Sequence, residues 1–221
     1  RILTWKKEFN YSAINNFAVR EAQGEYLLFL NNDVEIITEN WLEEMLQLCQ
    51  QKDVGMVGAK LYYPDDTIQH AGVVVGLGGV AAHVLCKLPR DVEGYMGRLR
   101  CVQEISAVTA ACMMVKTSVF KAVGGFDEEL KVAFNDIDLC MKVRKYGVKI
   151  IFTPYAELYH YESKSRGMED TPEKQLRFSR EVNCFRRKWE RELLKGDPYY
   201  NPNLTLNNTD CSLRKQEKNG D

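Results

Sequence analysis

The sequence predicts an α/β fold, a mixed and mainly parallel sheet flanked by helices. Three observations carry that prediction. Residues 26–30, Tyr-Leu-Leu-Phe-Leu, are apolar throughout, too few for an independent helix and without a polar face, as in a strand buried on both sides. Stretches with a 3.6-residue apolar period stand before and after such runs. A glycine or proline falls where many of these elements should stop.

Totals narrow the class. At 221 residues the chain can bury one substantial core, and one domain is the simplest count. Thirty basic and 31 acidic residues leave a formal net charge of −1, which provides no overall field for nucleic acid or an anionic membrane. No apolar run approaches the ~18 residues of a transmembrane helix, and no signal peptide opens the chain. Seven scattered cysteines lack any CxxC pair and read as small buried thiols in a reducing cytosol, so zinc is not expected. The opening Arg1-Ile-Leu-Thr-Trp5 resembles the tail of a strand and is read as the start of an excised piece.

In chain order, Ser12 or Tyr11 is expected to begin a helix through Ile14, Phe17, Ala18 and Ala22, ended by Gly24. The 26–30 strand follows and halts at Asn31-Asn32-Asp33. Thr38 is placed to cap a helix over 39–51, with Trp41, Leu42, Met45, Leu48 and Cys49 on one face. Residues 54–58 give a strand in which Gly55 suggests close backbone approach. From 61 to 100 the pattern loosens into hairpins and a surface loop. An apolar run over 105–115 and a short helix over 118–123 restore the order, and Gly124-Gly125 stops that helix. A helix over 136–146 ends at Gly147 with a basic last turn. Residues 149–153 form a strand closed by Pro154. Thr171-Pro172 then starts a helix to about 195, striped by Phe178, Val182, Phe185, Trp189 and Leu193. Beyond Asp210 the chain is polar and expected to fray.

Chemistry-bearing side chains gather at element ends: Asn31-Asn32-Asp33 after a strand, Asn135-Asp136-Ile137-Asp138 at a helix start, and His160 near a strand end. Each has a plain explanation. Asn-Asn-Asp favours turns, and taken alone it reads as one. Acidic residues in a first helical turn satisfy the dipole, and a lone histidine is more often structural than a ligand. A hard cation on a diphosphate nevertheless needs only one or two protein ligands. Asp33 with His160 would suffice and leave Asp136 as a base, one option among several.

Six segments then occur in a telling order: Phe9-Asn-Tyr-Ser12 with Asn15-Asn16, Gly24-Glu25-Tyr26 with Leu30-Asn-Asn-Asp33, Gly124-Gly-Phe-Asp127, Phe134-Asn-Asp-Ile-Asp-Leu-Cys140, and residues 159–167 followed by 197–203. Together they resemble family-2 glycosyltransferases, most closely the bacterial cell-surface polysaccharide and rhamnosyltransferase-like branch. The resemblance implies a GT-A fold, a nucleotide-diphosphate sugar donor, Mn²⁺ or Mg²⁺, and transfer with inversion to a glycan or lipid-linked acceptor. It implies Asp33 and His160 as metal ligands, Asp136 as general base, and Asn16, Asn31, Asn32, Ser165 and Arg166 as donor contacts. Arg166 suits bidentate phosphate binding, with a solvated loop arginine as the alternative. Where the family has Asp-x-Asp only Asp33 remains, and Asn135 replaces an expected glutamate.

On this reading residues 1–60 are the remainder of the nucleotide- and metal-binding half, 61–170 the acceptor-side half, 171–195 a C-terminal helix and 211–221 a polar tail. The chain is expected to start after the opening βαβ half of such an enzyme. A cytoplasmic protein, peripheral at the inner face of the membrane, is expected, and an exposed sheet edge would favour self-association. Two other classes compete: a non-catalytic module binding glycan or a partner chain, favoured by the softened Asp-x-Asp, and a metal-dependent nucleotidyltransferase. The latter needs a basic glycine-rich loop near the start, and none is visible.

Overall fold

The computed structural model describes residues 1–162 and 171–215. Its helices are α1 (Tyr11–Glu21), α2 (Trp41–Cys49), α3 (Thr117–Ala122), α4 (Asn135–Tyr146), α5 (Pro172–Lys188) and α6 (Glu190–Lys195). Its strands are β1 (Tyr26–Leu30), β2 (Val34–Ile36), β3 (Val54–Tyr62), β4 (Ile68–His70), β5 (Val73–Val75), β6 (Ala81–His83), β7 (Gln103–Glu104), β8 (Cys112–Lys116) and β9 (Lys149–His160).

The main sheet runs β1-β8-β3-β9-β2, with β4 against β3 and β7 against β9, while β5 and β6 form a separate hairpin. The mixed α/β class is the predicted one. Among the described residues, parallel pairing is confined to β3 and β9, and the other ladders are antiparallel. The apolar β1 pairs antiparallel with β8. Only its Leu27/Phe29 face is fully buried; Tyr26 and Leu28 are half-buried and Leu30 is exposed, so the expected burial of both faces is incomplete. Leu27 and Phe29 join the core under α3 and α4, and Tyr26 and Leu28 pack against the cluster under α2.

At the centre β3 is buried along its whole length. Gly55 and Gly58 let neighbours approach closely: a Cβ at Gly55 would stand 2.4 Å from Val148 Cγ2, and one at Gly58 2.3 Å from Val108 Cγ1. The loosened stretch holds hairpins as expected, but β4 and β5 are wholly buried rather than superficial.

Several boundaries differ from the sequence reading. Asn10, not Ser12 or Tyr11, caps α1, its Oδ1 accepting from Ala13 N at 3.0 Å. Thr38 lies outside α2 and accepts from Glu157 N at 3.2 Å, which ties it to β9. Pro154 does not end β9. Phe152 pairs with Gly58 and Glu157 with Lys60, so 153–156 bulge from the ladder and the missing proline N–H costs no strand bond. The C-terminal helix breaks at Trp189, whose indole turns inward to donate to Asp138 at 2.9 Å. Past Asp210, Cys211 is buried and Leu213 bridges to Leu204. Among the described residues no helix is long and apolar enough to cross a membrane.

Candidate active site

Topology brings distant residues together. Residues 31–33 join β1 to β2, and β2 pairs with the last residues of β9, Val34 opposite His160. Backbone bonds fix both ends of the link: Asn31 N donates to Ala111 O at 3.0 Å, and Tyr161 N donates to Asp33 O at 2.8 Å. Asp33 Oδ1 thus comes 3.2 Å from His160 Nε2, although the two are 127 positions apart in the chain.

A partner the sequence reading missed orients that imidazole. Gln69, 4% exposed, accepts from His160 Nδ1 at 2.7 Å through its Oε1, while its Nε2 donates to the His160 carbonyl at 3.1 Å. The amide oxygen can only accept, so the Nδ1 proton is assigned there and the Nε2 lone pair faces Asp33. Asn31 Nδ2 donates to the same Nε2 at 3.1 Å. Burial, the largest influence, lowers the pKa of His160, against the Asp33 carboxylate that raises it.

An unprotonated nitrogen facing a carboxylate oxygen is a donor set suited to a shared cation. The 3.2 Å separation is close to the ~3 Å between neighbouring ligands of an octahedral ion with bonds of ~2.1 Å. The residues present therefore fit a hard divalent ion that would take its remaining ligands from outside the protein.

Asp136 is held from several sides. Its Oδ2 accepts from Ala110 N at 3.2 Å and its Oδ1 from Ile137 N at 2.8 Å. The preceding Phe134 adopts a left-handed backbone, φ 61°, and its ring packs on Phe178 and Phe185 of α5. Glu181 of α5, 3% exposed, accepts from Val132 N and Ala133 N at 2.9 and 3.1 Å. From the other flank, the start of α1 binds the same approach: Asn10 Nδ2 donates to Glu128 O, Ser12 Oγ to Leu130 O and Tyr11 N to Lys131 O. Tyr11 Oη donates to Ala110 O at 3.1 Å, and burial, then the Asp136 carboxylate, pushes its pKa up.

The remaining expected residues divide. Asn16 is spent on the turn after α3, donating to Phe126 O and Glu128 Oε1 and accepting from Phe126 N. Both ends of the amide are thus committed to the backbone and side chain of 126–128. Asn32 is exposed in the turn. Ser165 and Arg166 lie outside the described residues. Asn135 is buried and braces the helix start, accepting from Asp136 N and donating to Val132 O. Asp138, fully buried, receives Trp189, Lys188 at 2.8 Å and Lys142 at 3.2 Å, the supporting role expected of it.

Histidines 70 and 83 were also missed in the sequence, and both are drawn into the same neighbourhood. Asp136 and Glu162 raise the pKa of His83 and His160 lowers it, with burial lowering it most. The available signal was scarcity: the chain has three histidines, and two fall in the stretch without periodicity. A separate cleft of about 1260 Å³, lined by Thr38, Lys60, Tyr62, Arg90 and Glu157 among others, contains none of these residues. Its charges pair internally, Arg90 with Glu157 at 3.1 Å and Lys60 at 4.0 Å from the same carboxylate.

Known proteins resemble the chain in fold and in sequence. The uncharacterized protein y4gI of Sinorhizobium fredii is 56% identical over 214 residues, which is 96% of this chain and 23% of the relative. The O-antigen biosynthesis protein RfbC of Myxococcus xanthus is 42% identical over 220 residues, 99% of this chain and 17% of the relative. The chain thus spans less than a quarter of either relative. Among solved structures, GalNAc-T7 with UDP, GalNAc and Mn²⁺ superposes with a TM-score of 0.66 at 13% identity, over 88% of this chain and 38% of that one, a likeness of fold. The description "Glycosyltransferase like family" matches residues 2–181, which include Asp33, Asp136 and His160 with the groups that hold them, and the chain belongs to that family.

Proposed function

We propose that the chain is the metal-binding and acceptor-side part of an inverting, metal-dependent glycosyltransferase. It moves a sugar from a nucleotide-diphosphate donor to a glycan or lipid-linked acceptor in cell-surface polysaccharide synthesis. The observation that carries this reading is the contact of Asp33 with a His160 ring whose lone pair is aimed by Gln69. A relative named for O-antigen biosynthesis and a fold shared with an enzyme bound to UDP and Mn²⁺ support it.

Asp33 and His160 would hold Mn²⁺ or Mg²⁺, whose charge, when bound, offsets that of the departing diphosphate. Asn31, beside the same imidazole, would reach donor oxygens once that nitrogen is engaged. Asp136 takes the proton of the acceptor hydroxyl as that oxygen bonds to the sugar carbon. Attack from the face opposite the leaving group inverts the configuration. The peptide N–H groups of Ala110 and Ile137 keep the Asp136 carboxylate aimed.

Titration calorimetry of the protein with UDP-, GDP- and dTDP-sugars, with and without Mn²⁺, tests this. Metal-dependent donor binding should vanish in Asp33→Ala and His160→Ala. Asp136→Asn should keep binding and lose transfer by ~10²–10⁴-fold. Transfer near wild type in Asp136→Asn overturns the base assignment, and absence of any metal-dependent donor binding overturns the enzyme reading. A second reading, a non-catalytic glycan- or partner-binding module, is favoured by one fact. Asn31 and Asn32 precede Asp33, so this stretch offers one carboxylate where an Asp-x-Asp would offer two. Glycan binding indifferent to metal would select it.

A further inference from the structure

Of the three histidines, only His160 has a part in the reading above. His70 and His83 touch each other, with Nδ1 atoms 2.9 Å apart and rings edge to face, centroids 4.9 Å apart at 80°. Two neutral imidazoles at that distance share one proton, so one Nδ1 donates and the other accepts. The far side of His70 decides which. Its Nε2 lies 3.4 Å from Thr109 N, a peptide N–H that can only donate. His70, 0% exposed, therefore keeps its lone pair on Nε2 and its proton on Nδ1. His83 Nδ1 must accept that proton's bond, which leaves the His83 proton on Nε2. This Nε2–H has no hydrogen-bond partner among the described residues.

The relay is anchored to the same backbone as Asp136. Thr109 N orients His70, and the next amide, Ala110 N, binds Asp136 Oδ2. Burial, foremost, holds both rings below the ordinary imidazole pKa, in keeping with a single shared proton. The ring that ends the relay feels the carboxylates of Asp136 and Glu162. A negative field of this kind disfavours a phosphate. It suits a neutral hydroxyl, which can accept from an N–H and donate to a carboxylate at once.

We propose that His83 presents a fixed Nε2–H donor to a sugar hydroxyl beside Asp136, with His70 as the positioning residue that sets its tautomer. The proposal deepens the function above and rests on its placement of the acceptor at Asp136. Its occupant is a neutral carbohydrate, not the donor diphosphate.

Long-range ¹H–¹⁵N correlation spectra of the full chain with ¹⁵N-labelled histidine test it, since only three imidazoles contribute. His70 should be protonated at Nδ1 and His83 at Nε2. Adding methyl rhamnoside, methyl mannoside or methyl N-acetylgalactosaminide should move the His83 signals, and Mg²⁺ with pyrophosphate should move those of His160. His83→Phe should weaken glycoside binding about tenfold, the loss of one hydrogen bond, and His83→Gln should restore part of it. In His70→Phe the His83 proton should spread over both nitrogens, a change that a merely space-filling histidine would not produce. A His83 protonated at Nδ1 in the wild type overturns the proposal, whether or not any variant folds. So does a His83 signal that ignores every glycoside while His160 still answers to Mg²⁺ and pyrophosphate, an outcome that leaves the metal reading standing. A His160 indifferent to both additions counts against that earlier reading instead.

Discussion

Gln69 shows how much of a site is made by residues that never meet the substrate. Its two amide bonds to His160 set the ring's angle and turn Nε2 toward Asp33 and Asn31. Replacing it by leucine, of similar size but without the amide, should leave the fold intact and weaken Mn²⁺ binding about 10–100-fold. Calorimetry in the presence of UDP would measure the loss, and unchanged affinity would show that packing alone aims the imidazole. Asp33, Asp136 and His160 could be singled out in the sequence because each lies at or near an element end, within a recognisable segment. Gln69, 91 positions from its partner, carries no such mark, and neither does His70. For Asn16 the sequence could not show its partners: a helix-borne amide near a site and one that ties down a turn have the same local sequence.

Among the elements, α5 braces the approach to the base. Glu181 accepts from the amides of Val132 and Ala133, and the rings of Phe178 and Phe185 pack against the left-handed Phe134. Glu181→Ala leaves both amides without their acceptor and should cost about 1–3 kcal/mol. Urea denaturation would read that cost, and proteolysis should then cut first near residues 131–134. A variant as stable as the parent would mean that α1 alone suffices to hold the approach to Asp136. Helix existence was legible from apolar period, and Gly147 marks the end of α4 as expected, φ 95°. What the period could not show was a side chain with a better offer elsewhere. Thr38 leaves its cap for β9, and Trp189 leaves its helix for Asp138.

For the molecule as a whole, acidity is the sharpest lever. All three imidazoles titrate below the ordinary value, His70 well below it, and in each the largest cause is burial, which disfavours the charged ring. An unfolded chain takes up these protons near the usual pKa of ~6.5, before the folded chain does. In that interval the unfolded state binds more protons, so stability rises with pH and is lost on acidification. Urea midpoints should be level above about pH 7.5 and decline as pH falls through ~6.5 toward the folded values. A midpoint that climbs on acidification would mean that the rings are charged in the fold. At this scale the α/β class was plain in the sequence, whereas strand neighbours were not. Nothing local distinguishes the parallel contact of β3 with β9 from the antiparallel one of β3 with β8, since pairing depends on residues far away in the chain.

The link over residues 31–33 has one more consequence. Both its ends are fastened, to the register of β1 on β8 and of β2 on β9, and β2 has only three residues with which to absorb a slip. Side chains alternate across a strand, so a shift by a single residue would turn Asp33 to the opposite face. The span therefore works as a ruler. Its length, more than the packing of any neighbour, meters the distance from carboxylate to imidazole, and an extra residue there would register as a misplaced charge before it registered as a longer loop.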